Sequence, residues 1–261
     1  MKVVILAGGL GTRISEESAL RPKPMIEIGG KPILWHIMKI YSHYGFHEFV
    51  ICLGYKGYMV KEYFADYYLH TSDVTFDFTQ GNSMTVHNNV SEPWKVTLVD
   101  TGLNAQTGCR IKRIQKYIGD EPFMLTYGDG VSNVNLQSLL DAHQNHKNAI
   151  VTMTAIQPGG RFGVLDIDHG SNEINRFVEK AKEDGGWING GFMVVEPSVF
   201  DYLRDDNQCI FETTPLESIA RDGGLFAYKH DGFWQCMDTQ RDKVRLNDLW
   251  SQGDAPWKLW A

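Results

Sequence analysis

The sequence predicts an α/β fold: a doubly wound, mostly parallel central sheet with inserted β-hairpins. Apolar runs without polar alternation, Val3–Leu6 and "EFVICLG", are typical of strands that are covered on both faces. Each run precedes a segment with helical spacing of apolar residues, first "GKPILWHIMKIYSHYG" and then "KGYMVKEYFADYYL". This alternation of strand and helix favours a parallel sheet with helices on both faces.

The rest of the chain continues the alternation after one interruption. The segment "SDVTFDFTQGNSMTVHNN" predicts a hairpin insertion near 73–90, because a Gly-Asn turn separates two alternating runs. Beyond it the patterns predict, in chain order, the strand "KVTLVDTG", the helix "GCRIKRIQKYI", the strand "PFMLTYGDG", a helix over 135–146, the strand "AIVTMTAI", a hairpin over 163–180, the strand "INGGFMVVEP", the helix "TTPLESIARDG", strands around "LFAYKHDGFW" and a helix over 239–250. No repeat or linker divides the sequence, so residues 1–261 are predicted to form one domain.

Composition limits the classes of function. The sequence has 261 residues and a net charge of −7, which argues against a nucleic-acid partner. No apolar run approaches the roughly 18 residues of a membrane span and no signal-peptide pattern is present, so we expect no membrane partner. Four widely spaced cysteines without a C-x-x-C motif are typical of reduced thiols in a cytoplasmic protein. The indoles of Trp257 and Trp260 are expected to pack on the core or on a second subunit, which favours a homo-oligomer.

The first chemical motif follows the first strand and runs from Gly8 to Arg13. Its glycines let the main chain turn sharply and approach a ligand, and the N–H groups of such a turn form an anion-binding nest. Arg13 adds a permanent positive charge. The motif is not a P-loop, which ends in Gly-Lys-Ser/Thr, and it lacks the third glycine of the dinucleotide fingerprint. We therefore predict a phosphate-binding loop at the carboxyl end of a parallel strand, with a flexible turn as the alternative.

The second motif is "RPKPM", in which two prolines flank Lys23. Proline fixes φ and stiffens the preceding residue, so this lysine has a fixed reach. A solvated loop lysine is the alternative. Beside a glycine loop that ends in Arg13, a second cation suits a polyphosphate ligand.

The third motif is "TYGDG", where Asp129 stands at the end of a buried strand. A carboxylate beside phosphates is expected to share a Mg²⁺ ion with them, because Mg²⁺ takes one or two carboxylates together with phosphate oxygens. Asp238, where a strand gives way to a helix, is a candidate second ligand. An Asp-Gly turn at Asp129 and a helix N-cap at Asp238 are the alternatives.

Several motifs together resemble the sugar nucleotidylyltransferases, and the match covers the sequence from Met1 to the C-terminal helix. They are "LAGGLGTR", "PKPM", "GDG", "FVEK" and "INGGF", with "VTLVDTG", "TGCRIKRI", "RFGVLDI", "GFWQCMDTQRDK" and "APWKLW" most similar to the members that use CTP. The resemblance implies a Rossmann-like fold of the nucleotide-diphospho-sugar transferase type. It also implies a C-terminal part from about residue 155 that binds sugar and metal.

The resemblance further implies the reaction and the roles of individual residues. CTP and α-D-glucose 1-phosphate would give CDP-glucose and pyrophosphate, with Mg²⁺ held by Asp129 and Asp238. Arg13 and Lys23 would be catalytic, the first on the triphosphate and the second at the α-phosphate. Lys180 would bind the sugar phosphate. The implied substrate-binding residues are Leu6, Ala7, Gly8, Gly9, Leu10, Gly11, Thr12, Arg13, Lys23, Ala105, Arg110, Gly128, Lys180, Asn189 and Gly191.

The resemblance also implies a candidate for reading the base, Arg110, because the motif "TGCR" is similar to one whose arginine belongs to the nucleotide pocket of the cytidylyltransferases. A guanidinium against O2 and N3 accepts cytosine and meets the N–H of uracil, so loss of Arg110 should narrow the preference for CTP over UTP. A solvated helix arginine is the alternative. Two other functions stay open: transfer from UTP, dTTP or GTP to another sugar phosphate, and a nucleotide-sugar-binding regulatory subunit without activity.

Overall fold

The computed structural model describes residues 1–79, 81–88, 91–157, 164–168, 170–178 and 186–260. The strands are β1 Val3–Ala7, β2 Glu27–Ile28, β3 Lys31–Pro32, β4 Glu48–Leu53, β5 Asp73–Asp77, β6 Ser83–His87, β7 Lys95–Asp100, β8 Phe123–Tyr127, β9 Gly130–Ser132, β10 Val151–Ile156, β11 Val164–Ile167, β12 Ile174–Val178, β13 Ile188–Val195, β14 Leu225–Lys229 and β15 Trp234–Cys236. The helices are α1 Ser15–Ser18, α2 Ile33–His43, α3 Gly57–Ala65, α4 Tyr67–His70, α5 Thr107–Arg113, α6 Gln115–Ile118, α7 Leu136–Asn145, α8 Thr214–Arg221 and α9 Gln240–Ser251.

The central sheet has seven strands in the order β14-β10-β13-β8-β1-β4-β7. Its neighbouring strands are parallel except at β13, which runs antiparallel to both β8 and β10. The predicted doubly wound, mostly parallel α/β sheet is therefore confirmed. The reversed direction of β13 was not predicted, because an apolar strand has the same pattern read in either direction.

Strand β1 explains why the sheet carries a core on each face. Val4 and Leu6 belong to one cluster of buried side chains, while Val3, Ile5 and Ala7 belong to the other. Successive residues of a strand point to opposite faces, so an unbroken apolar run is what a doubly covered strand requires.

Two predicted helices are each divided in two. The segment "KGYMVKEYFADYYL" forms α3 and α4 with a break at Asp66, and "GCRIKRIQKYI" forms α5 and α6 with a break at Ile114. The apolar spacing continues across both breaks, which is why the pattern alone predicts one helix. Helix α9 lies within one residue of its predicted ends. No helix in the described ranges is both long and apolar enough to cross a lipid bilayer.

The β5–β6 hairpin projects one apolar face into solvent. Val74 pairs with Val86 and Phe76 with Met84, and the rings of Phe76 and Phe78 are stacked. Phe76, Phe78 and Met84 are exposed. A two-stranded hairpin is marginally stable by itself, so this face is a candidate contact surface.

The C-terminal segment packs on its own chain around a buried histidine. Trp257 is fully buried, and its Nε1 donates to Nδ1 of His36 at 3.3 Å. The other ring nitrogen, Nε2, is 2.8 Å from the carbonyl oxygen of Ile28 and must donate to it. His36 is therefore a neutral imidazole with its proton on Nε2. The terminal indoles were expected to pack either on the core or on a second subunit, and Trp257 packs on the core of its own chain.

This arrangement predicts a loss of stability in acid. Burial lowers the pKa of His36 from 6.5 to about 4. Between these values the unfolded chain binds a proton that the folded chain does not, so the free energy of unfolding falls as pH falls from 6.5 towards 4, by up to about 3 kcal/mol. Urea denaturation of the wild type and His36→Gln over this range should give a steeper pH dependence for the wild type. Exposed His87→Gln is the matched control, and equal slopes for wild type and His36→Gln would contradict the assignment.

Candidate active site

The candidate site lies where the order of strands reverses. The chain runs from β1 outward through β4 and β7 and then returns to β8 on the other side of β1. Open α/β sheets bind ligands at the carboxyl ends of their strands at such a switch point. The crevice here is a pocket of about 250 Å³.

Most of the predicted site residues come together in this pocket. Its lining includes Leu6, Ala7, Gly8, Gly9, Gly11, Thr12, Arg13, Lys23, Ala105, Arg110, Gly128, Asp129 and Asp238. Leu10 does not line it and is 54% exposed. Asn189 and Gly191 do not line it but lie against Tyr127, which does, and Lys180 lies outside the described residues. Sequence reasoning did not assign a role to the lining residues Tyr127 and Thr107, although they lie inside the motifs "TYGDG" and "TGCRIKRI"; it also missed Ile14, Pro24 and Gln106.

The glycine loop is held in an open turn. Gly11 has φ +66°, a value that favours glycine, and its carbonyl oxygen accepts hydrogen bonds from Ser18 Oγ at 2.9 Å and Ile14 N at 3.1 Å. Ile14 is fully buried, whereas Arg13 projects from the same short 3₁₀ turn with an exposed side chain. The loop therefore presents main-chain groups and one exposed guanidinium to the pocket.

The guanidinium of Arg110 lies directly beneath this loop. It is 4% exposed, and Nη2 donates to the carbonyl oxygen of Gly8 at 2.9 Å. Nη1 donates to Leu53 O at 3.0 Å, to Thr101 Oγ1 at 2.7 Å and to Gly102 O at 2.9 Å. A Cβ on Gly8 would stand 2.3 Å from the guanidinium carbon, so this close approach requires glycine. The alternative of a solvated arginine is wrong.

Lys23 stands between two carboxylates. Its Nζ lies 2.6 Å from Oδ2 of Asp129 and 2.5 Å from Oδ1 of Asp238, and its side chain is 12% exposed. Burial disfavours the ammonium, but the two carboxylates outweigh burial and raise the pKa of Lys23 above 10.5. Lys23 is therefore charged at neutral pH, and the alternative of a solvated loop lysine is wrong.

Asp238 does not cap helix α9. The cap is Thr239, whose Oγ1 accepts from Asp242 N at 3.3 Å while Asp242 Oδ2 accepts from Thr239 N at 2.9 Å. This reciprocal pair is a capping box with aspartate in place of the usual glutamate. The side chain of Asp238 is left to face Lys23 and also Arg13, whose Nη1 is 2.7 Å from Oδ2.

The carboxylates of Asp129 and Asp238 fit a hard divalent cation. Both project into the pocket beside the glycine loop, and Mg²⁺ takes such oxygen ligands together with phosphate oxygens. No group of three or more His, Cys, Asp or Glu side chains within the described part of the chain could hold a metal by itself. A metal held by these two carboxylates would need further oxygen ligands from water or from a phosphate.

A glycine loop, two cations and two carboxylates at the carboxyl end of the sheet suit a ligand that carries phosphate groups and a metal ion. A model of the nucleotidyl transferase family matches residues 2–235, and the chain belongs to this family. Members of the family generally use a divalent metal ion. The resemblance to the sugar nucleotidylyltransferases is thereby confirmed.

Relatives narrow the class. The chain is 56% identical over 261 residues to the glucose-1-phosphate cytidylyltransferase of Salmonella typhi, covering 100% of both chains. It is 47% identical over 260 residues to the probable glucose-1-phosphate cytidylyltransferase of Bacillus subtilis, again covering 100% of both. Among solved structures, HddC from Yersinia pseudotuberculosis superposes with a TM-score of 0.75 at 25% identity, covering 95% of this chain and 99% of that one.

Proposed function

We propose that this enzyme transfers the cytidylyl group of CTP to α-D-glucose 1-phosphate and releases pyrophosphate, giving CDP-glucose. The observation that carries this conclusion is 56% identity over the full length of a curated glucose-1-phosphate cytidylyltransferase. The geometry agrees with it, because Arg13, Lys23, Asp129 and Asp238 meet in one pocket beside the glycine loop. A regulatory subunit without activity would have no need of this arrangement.

The reaction needs no general base. The second pKa of a phosphomonoester is near 6, so the attacking sugar phosphate is already mostly ionised at neutral pH. The obstacles are repulsion between anions and the charge that develops at the α-phosphate, and positioned cations reduce both. The main chain of Gly8–Gly11 and Arg13 bind the triphosphate, and Lys23 stabilises charge at the α-phosphate. Lys180 binds the phosphate of the sugar.

The metal in the proposal is Mg²⁺, held by Asp129 and Asp238. When bound, it neutralises phosphate charge in the pocket. The support is the chemistry of the two carboxylates, whose oxygens suit a hard cation. Lys23 bridges the same two side chains, so its ammonium offsets the repulsion between the carboxylates and holds them close to each other.

A release assay for pyrophosphate tests the reaction. The purified chain is given CTP, UTP, dTTP or GTP in combination with the 1-phosphates of glucose, galactose and mannose. We expect CTP with glucose 1-phosphate to give the highest kcat/KM. A higher value for another pair would replace the assigned substrates, and no turnover with any pair would overturn the proposal.

Arg110 is proposed to support the nucleotide rather than to choose the base, because its Nη atoms already donate to groups of the protein. Arg110→Lys should lower kcat/KM for CTP and for UTP by the same factor, about tenfold, since one ammonium cannot replace all of these hydrogen bonds. Arg113→Lys, on the same helix but paired with Asp205, is the control. If kcat/KM falls for CTP but not for UTP, the result would support the sequence-based prediction that Arg110 selects the base.

We also propose an oligomeric state and a cellular location for the protein. A homo-oligomer is supported by the exposed apolar face of the β5–β6 hairpin, and sedimentation of the full chain measures it. A cytoplasmic location is supported by four free, buried cysteine thiols, Cys52, Cys109, Cys209 and Cys236.

A further inference from the structure

We infer that Glu212 is a positioning residue for the sugar side of the pocket, where it holds Tyr127 and, through Tyr127, the amide of Asn189. This inference rests on the proposed function and adds a residue to it. Glu212 belongs to no motif of the sequence, and it does not itself line the pocket.

Glu212 joins two walls of the pocket with its two carboxylate oxygens. Oε1 accepts a hydrogen bond from the hydroxyl of Tyr127 at 2.5 Å, and Oε2 accepts one from Oγ1 of Thr107 at 2.5 Å. Tyr127 is the last residue of β8, and Thr107 is the first of α5; both line the pocket. Thr107 Oγ1 in turn accepts from the N–H of Phe211, next to Glu212 in the chain.

The direction of these hydrogen bonds fixes Asn189. Since the hydroxyl of Tyr127 donates to Glu212, it can only accept from Nδ2 of Asn189, which lies 3.1 Å away. Oδ1 of Asn189 accepts from the N–H of Gly191 at 2.8 Å, so the amide has one orientation. Burial, followed by the charge of Glu212, raises the pKa of Tyr127 well above 10, so the phenol stays a donor at neutral pH.

The ring of Tyr127 also sets the position of β13. A Cβ on Gly191, whose φ is +82°, would stand 2.7 Å from Cδ2 of the ring, so the strand can approach only because this residue is glycine. The result is a rigid chain of carboxylate, phenol and amide groups in contact with the pocket.

The chemistry of this chain suits a sugar better than a phosphate. The phosphate end of the pocket is marked by Arg13, Lys23 and the glycine loop. The wall at Tyr127 carries neutral hydroxyl and amide groups, the hydroxyl of Tyr127 and the amide of Asn189, which suit the hydroxyls of a sugar. Glu212 is therefore assigned to the recognition of the sugar hydroxyls through Tyr127 and Asn189.

Kinetics of Glu212→Gln test this assignment. Glutamine keeps one acceptor oxygen and has an NH₂ group in place of the other, so one of the two hydrogen bonds is lost. KM for glucose 1-phosphate should therefore rise about tenfold, the effect of losing a hydrogen bond to a charged group. KM for CTP should change less than about twofold. The preference for glucose 1-phosphate over its C4 epimer, galactose 1-phosphate, should narrow, which a purely structural role would not cause. Glu217→Gln, an exposed glutamate five residues later, is the control.

A double-mutant cycle with Tyr127→Phe tests whether Glu212 acts through the phenol. Tyr127→Phe should reproduce the rise in KM, and the double variant should be no worse than either single one. Additive effects, equal changes in both KM values, or unchanged kinetics in a variant that melts like the wild type would each overturn the assignment. If the wild type itself does not use CTP and glucose 1-phosphate, the proposed function fails before Glu212 is tested.

Discussion

Lys23→Met should lower kcat for CTP and glucose 1-phosphate by about 10²-fold or more while changing KM for CTP little. Methionine keeps most of the length of the side chain but removes its charge and the hydrogen bonds that its ammonium donates. That charge is held between Asp129 and Asp238 at 2.6 and 2.5 Å, at the pocket wall where the α-phosphate is proposed to lie. A contact that strengthens as charge develops in the transition state affects kcat more than KM.

The comparison for this prediction is Lys61→Met, an exposed lysine on α3. Initial rates over a range of CTP concentrations, together with melting temperatures, separate chemistry from folding. A Lys23→Met protein that melts normally and keeps a kcat close to that of the wild type would remove Lys23 from the mechanism.

Asp129→Asn and Asp238→Asn should each raise the Mg²⁺ concentration that gives half-maximal activity by about tenfold or more, because each removes a charged oxygen ligand. Titration of activity with Mg²⁺ at saturating substrates measures this, and chelation of the metal should abolish turnover of the wild type. Asp141→Asn, an exposed carboxylate on α7, should leave the titration unchanged.

The capping box of α9 supplies an independent check on Asp238. Since Thr239 and Asp242 cap the helix, Thr239→Ala should lower stability by about 1 kcal/mol and leave the Mg²⁺ requirement as it is. The converse result, in which Asp238→Asn melts earlier but needs no more Mg²⁺, would mean that Asp238 is structural.

Local patterns were enough to predict the sheet and the glycine turn after its first strand, which lines the pocket. The run Val3–Leu6 predicts a doubly covered strand because burial on both faces requires an unbroken apolar sequence. The glycines that follow predict a close approach, although the group that approaches Gly8 in the structure is the side chain of Arg110. The closeness of the glycine loop and Asp129 follows from their positions after the strands β1 and β8, which are neighbours in the sheet.

Contacts between distant parts of the chain could not be predicted in the same way. Lys23 and Asp238 are 215 positions apart, and Tyr127 and Glu212 are 85 apart. Nothing in the sequence near Glu212 marks it, because its role depends on which strand end faces it after folding. The burial of Arg110 was missed for a related reason. An arginine on an amphipathic helix has the same sequence pattern whether it meets solvent or a cluster of carbonyl groups.

The indoles around His36 have an optical consequence. Four of the seven tryptophans, Trp35, Trp250, Trp257 and Trp260, lie in one cluster, with ring centroids 5.6 Å apart for Trp35 and Trp260 and 6.3 Å apart for Trp250 and Trp257. Chromophores this close exchange excitation energy, so emission and near-ultraviolet circular dichroism will be dominated by the docked C-terminal segment. The residues that line the described pocket include Tyr127 but no tryptophan. Release of the C-terminal segment will therefore change the intrinsic fluorescence strongly, whereas nucleotide binding will change it weakly.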